Sequence, residues 1–307
     1  MTKKTQNWLL ALLSIPAAVV IAVVGLLIFA AARPLPPIQP LPNPNGYDDF
    51  IKAGEMVDNN SWKCNEMNLE ELRKLVAKNS DALQAARIGL QKDCAVPLQF
   101  SENYMSRHLS ELSSHKRLAE AFEAEGRLAE MENRPGDAAK SYLDATRLGH
   151  KSARGGILID QLVGIAIKAI GTSHLQKLID QLDAKSCRET AAILETLGTQ
   201  RQTWNEVAQQ DDAWSRRTYS SFRYRLTKLM LSISPKMRGH MKAVQNAFER
   251  KLEKQQTNTR QLIIDLAARA YELDKGHRPA NLADLVPDYL KAIPQDPSTG
   301  TNMVYLR

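Results

Sequence analysis

Cysteine is scarce in this chain: Cys64, Cys94 and Cys187 are the only three. They are too few and too widely spaced for a zinc site. Reaction motifs are missing too. There is no His-Glu-x-x-His pair, no Gly-x-Ser-x-Gly elbow and no Walker loop. Gly155-Gly156 lacks the preceding strand and the spacing of a phosphate-binding loop. The six histidines are scattered, and His108 and His115, two helical turns apart, read as surface residues. Glu123, Glu125 and Glu130 stand among basic neighbours and read as a solvated helix face. No catalytic, cofactor-binding or metal-ligating set emerges, and no cofactor is implied. An active site assembled from distant residues leaves no trace in spacing.

Aromatic residues are also few, at 6%. Ala, Leu, Glu, Lys, Arg and Gln dominate instead, which predicts a mainly α fold.

One long apolar run is present. Residues 8–32 carry no charge over 25 positions, enough at 1.5 Å per residue to cross a bilayer. This predicts a single-pass signal-anchor that places residues 8–32 in the lipid bilayer. Lys3 and Lys4 precede it without an acid, whereas Arg33 alone follows it closely. The positive-inside rule then puts residues 1–7 in the cytoplasm and the main domain outside it, on the periplasmic side. In such an oxidising place Cys64 and Cys94 are candidates for a disulfide closing a loop of roughly 30 residues, worth about 3 kcal/mol in the chain-entropy model. The alternative is three buried free thiols.

Residues 33–46 contain six prolines and predict a stiff extended spacer. Residues 47–255 read as an α-helical extracytoplasmic domain. Asn68 with Glu71 marks a helix start. A long helix is predicted from Asn103 to Met131, a partner over 137–148, and an apolar core helix over 157–170. Further helices are predicted over 173–183, 188–197, 202–228 and 241–273, with Ser234-Pro235 as a break.

Phe122, Gly126, Ala129, Ala138, Tyr142 and Ala145 follow the order of large, small and aromatic packing positions in two antiparallel helices. This stretch, about 117–150, resembles a tetratricopeptide hairpin, with His150 where the motif ends in Pro. No second clear copy is seen.

The last part, 256–307, changes character. Gly276-His277-Arg278-Pro279, a Leu-rich turn around Leu282 and Leu285, Pro294-Gln295-Asp296-Pro297 and a strand-like Met303-Val304-Tyr305-Leu306 follow a helix. Over about 260–306 this resembles the C-terminal segment of type II secretion major pseudopilins. The resemblance implies a small α+β module, and calcium near the Asp-Pro turn, for which Asp296 is the only candidate; a hard cation wants six to eight oxygens. The order from anchor to tail also resembles that of a group of uncharacterised single-pass bacterial envelope proteins.

Charge is uneven. Eleven basic residues stand against Glu249 and Glu253 between Trp214 and Lys254, an excess larger than the +7 of the whole chain. Arg216, Arg217, Arg223, Arg225 and Lys228, interleaved with Tyr219, Phe222 and Tyr224, are the candidate contacts to an anionic surface, either lipid headgroups or an acidic protein. Nucleic acid is disfavoured as a partner outside the cytoplasm. The sequence therefore favours a membrane-anchored helical scaffold that binds an unidentified protein. The alternatives are an envelope hydrolase with a site hidden from sequence and a pseudopilin-related secretion component.

Overall fold

The structure, a computed structural model, describes residues 25, 35, 37, 38, 40–58, 61–198 and 203–304. It is mainly helical. In chain order the helices are α1 (Gly46–Met56), α2 (Leu69–Lys78), α3 (Ser80–Gln91), α4 (Tyr104–Met131), α5 (Pro135–Lys151), α6 (Leu158–Leu178), α7 (Ala184–Gly198), α8 (Trp204–Thr218), α9 (Ser221–Ile233) and α10 (Pro235–Lys275). Short 3₁₀ turns lie at Ser61–Glu66, Ile179–Gln181 and Leu282–Leu285.

Local signals set most of these boundaries. Asn68 and Glu71 form a capping box at α2, with Glu71 N donating to Asn68 Oδ1 at 3.0 Å. Asn45 caps α1 and also bonds both ways to the Ala95 backbone, which ties the start of the fold to residue 95. Ser234-Pro235 proves to be a helix start and not just a break. Ser234 accepts from Met237 N and Pro235 takes the first helical position, where its missing N–H costs nothing. The helix expected over 202–228 is divided, because Tyr219 is extended and Ser220 caps a new helix through Arg223 N. The segment 173–183, expected as a helix of its own, is the end of α6 and the turn after it.

Helices α4 and α5 form a hairpin around the turn at 132–134. A Cβ on Gly126 would collide with the Tyr142 ring, so the small residue is what lets the ring in. Helix α6 then lies across α5 at very close range. A Cβ on Gly149 would meet Gly164 O at 2.7 Å, and one on Gly164 would meet Gly149 O at 2.6 Å.

Two large apolar clusters result. One joins Tyr47 and Phe50 of α1 to Leu83, Leu118, Phe122, Leu148 and Ile167. The other joins Tyr142, Leu175, Leu178, Leu194, Leu262 and Leu266 to Leu282, Leu285 and Leu290 of the tail.

Three expectations are corrected. Among the described residues no helix is long and apolar enough to cross a membrane. The run 8–32 that carried the single-pass reading lies outside the described residues, Gly25 excepted. The most apolar described helix, α6, bears Asp160, Lys168 and Lys177 and buries its apolar side against protein. The single-pass anchor, and the extracytoplasmic placement built on it, therefore have no support among the described helices.

The α+β terminal module is corrected as well. Among the described residues of the tail there is a 3₁₀ turn and one isolated bridge, Gln295 with Asn302, but no strand. Pro294 and Pro297 limit the ladder, and residues 305–307 lie outside the described ones. The expected boundary at 255/256 falls inside α10. Finally, Cys64, Cys94 and Cys187 are free, buried thiols, and Cys64 and Cys94 belong to different apolar clusters. The Cys64–Cys94 disulfide is not formed.

Candidate functional site

Polar chemistry gathers along α4, whose middle and end are buried on most sides. His108 is fully buried. Its Nε2 lies 2.6 Å from Asp160 Oδ1 of α6, and its Nδ1 lies 3.1 Å from Glu111 Oε2. Burial pushes the imidazole pKa down, but the bonds and charges of Asp160 and Glu111 outweigh it and leave it raised. Asp160 also accepts from Ile157 N at 2.8 Å, so one carboxylate both caps α6 and clamps it to α4. Tyr104 stacks on the His108 ring with centroids 4.7 Å apart.

Two turns on, His115 is also fully buried, and neither ring nitrogen has a hydrogen-bond partner among the described residues. Its ring sits edge-on to Tyr47 at 5.0 Å. Burial pushes its pKa down to about 3, so it stays neutral. Both histidines thus depart from the surface placement expected of them.

Glu123 departs likewise. It is buried and accepts from Asn65 Nδ2 at 3.1 Å, with His174 Nε2 at 2.9 Å. Burial would raise its pKa; the His174 bond and charge, with Asn65, hold it below the usual carboxylate range. Tyr142 stacks on His174 at 4.7 Å and donates its hydroxyl to Glu130.

Chemically these are His–carboxylate pairs, and the thiol of Cys64, whose pKa burial and Glu123 push up to about 12, is hydrogen-bonded to Glu123 of the second pair. They bind helices to one another. A cleft of about 500 Å³ does open beside the α4–α5 hairpin, but its polar residues neutralise each other. Arg87 Nη1 donates to Glu125 Oε1 at 3.1 Å and its Nε to Asp144 Oδ2 at 2.9 Å. The histidine pairs do not line it. Among the described residues no group of His, Cys, Asp and Glu could hold a metal ion. Asp296 is occupied with its own loop, accepting from Ser298 N at 2.8 Å and Thr299 N at 3.1 Å.

The basic stretch falls on α8, α9 and the start of α10. Arg223 pairs with Glu102 at 2.8 Å and lies over the Tyr219 ring. Lys228 pairs with Asp212, which also accepts from Tyr224. Arg216 lies over Tyr224 and Arg217 over Phe100. Arg225 is half-buried on α9. The five basic residues therefore do not form one open patch, since several fix α8 to α9 and to residues 100–102.

What the basic count concealed is an apolar row. Phe222, Leu226, Met230 and Ile233 are 76%, 44%, 48% and 66% exposed. At 100° per residue they occupy one side of α9, flanked by Arg223 and Arg225. Tyr224 and Lys228 point the other way, to Asp212 of α8. The signal was present as spacings of four, four and three. No protein family, no curated protein and no solved structure matches this chain.

Proposed function

We propose that this chain is a helical scaffold that works by holding a protein partner. The observation that carries the reading is the exposed row Phe222, Leu226, Met230 and Ile233 on α9. A single exposed apolar side chain is ordinary on any protein. Four large ones aligned on one helix form a contiguous patch of the kind that marks a contact surface. Such a row fits a groove or a second helix through i, i+4 and i+8 anchors. Arg223 and Arg225 at its margins favour a partner with acidic residues beside its own apolar stripe. The buried His–carboxylate pairs clamp α4 to α6 elsewhere in the fold.

The test is site-directed photo-crosslinking in the cells of origin. A photoreactive side chain at position 226 is expected to give a discrete protein adduct, and one at the exposed Glu70 is not. Met230→Asp should abolish the adduct while leaving the thermal transition unchanged, since Met230 is half exposed. Equal labelling from both positions, or none from 226, would overturn the reading.

A further inference from the structure

A second concavity lies away from the α9 row, between α5, α6, α7 and α10, with a volume of about 450 Å³. That is within the range of small-molecule sites. Ile165, Leu194, Leu197, Phe248, Leu252 and Ile263 make its apolar wall. Its charged groups are all of one sign: Lys168 of α6, Arg154 of the turn after α5, and Arg260 of α10, with His150 of α5 beside them. Among the described residues no Asp or Glu lines it.

The cations differ in how they are balanced. Arg154 faces Asp93 at 3.8 Å, outside the cavity lining, and Arg260 donates to the Gln295 carbonyl. The Lys168 amine has no carboxylate or hydrogen-bond partner among the described residues, and burial alone acts on it, drawing its pKa down to about 8. An unpaired ammonium against an apolar wall is costly, and an anion placed beside it would offset that cost.

We propose that this cavity binds a small amphiphilic anion, with its apolar body on the Phe248–Leu252–Ile263 wall and a carboxylate or phosphate head on Lys168. The head chemistry is shared by long-chain carboxylates and alkyl phosphate esters. The cavity is separate from the α9 row, so either reading can fail alone.

The experiment is calorimetric titration of the full chain with decanoate, decyl phosphate, decanol and decylamine. At least one of the two anions should bind at least tenfold more tightly than decanol, and decylamine should be weaker still. The stronger anion identifies the head. Lys168→Met should bring that anion to the level of decanol, and Lys168→Arg should retain most of its binding. Should Lys168→Met fail to fold, the wild type decides by pH. Anion affinity should fall as pH rises through about 8, where Lys168 loses its proton. The other basic groups that line the cavity are His150, Arg154 and Arg260. Decanol binding as tightly as both anions, no anion binding, or anion affinity unchanged in Lys168→Met would each overturn the proposal.

Discussion

His108 and Asp160 meet at 2.6 Å between α4 and α6, with neither side chain exposed to solvent. Fifty-two residues separate them in the chain, yet they fix where α6 begins, because the second oxygen of Asp160 holds Ile157 N. Removing one partner of such a pair leaves the other buried and uncompensated, at a cost of about 3–5 kcal/mol. Asp160→Asn should therefore destabilise the fold by that order in urea unfolding. His108→Leu combined with Asp160→Leu should cost less than the two single changes added together. Full additivity of the two, or a loss below about 1 kcal/mol for Asp160→Asn, would show that the pair is peripheral.

The two buried histidines make opposite contributions to stability as pH changes. His108 has a raised pKa, so what it adds is fully present below its ordinary value of 6.5 and is lost as pH rises through the raised one. His115 is neutral in the fold and basic in the unfolded chain. What it adds is present above 6.5 and is lost as pH falls from there toward about 3. His115→Leu also removes two buried nitrogens that have no hydrogen-bond partner among the described residues. The variant should be at least as stable as wild type at neutral pH. Its advantage should widen by about 1.4 kcal/mol for each unit of acidification below 6.5. Denaturant midpoints at three pH values measure this, and a constant gap would refute it.

Glycine substitutions separate close contact from helix propensity. Gly164→Ala places a methyl against the Gly149 carbonyl and the Ala153 side chain. It should cost about 1–3 kcal/mol by forcing α5 and α6 apart. A Cβ on Gly239 of α10 would meet no atom of the described residues within 4 Å. Gly239→Ala should instead stabilise by up to about 1 kcal/mol through helix propensity. Thermal melts of the two variants should move in opposite directions.

Helix starts were legible because caps are local. Asn68 with Glu71 could be read directly, and so could the turn before α5. Asp160 was the one partial clue to the polar clamps: an acid inside the most apolar described helix needs a partner. The clue did not name His108, since distance along the chain says nothing about who faces whom across two helices. His115 gave no clue at all. The α9 row was hidden for another reason. Reading 202–228 as one helix passed over the cap at Ser220, and the basic count drew attention from Phe222, Leu226, Met230 and Ile233. The tail was misread because a terminal apolar stretch looks strand-like, while Pro294 and Pro297 keep the described part to a single bridge.

Helices α5 and α6 each serve both large clusters. Ala145, Leu148 and Ile167 belong with Tyr47 and Phe50, whereas Tyr142, Leu175 and Leu178 belong with Leu285 and Leu290. This sets an order of assembly on the ribosome. The first cluster has all its parts once α6 has emerged, and it can close while the rest of the chain is still being made. The opposite sides of the same two helices must wait, wet and apolar, for Leu194 of α7 and then for Leu262 and Leu266 of α10, before Leu285 and Leu290 complete the cluster. A nascent chain stalled between α6 and the second half of α10 would present that uncovered side to chaperones and to other copies of itself.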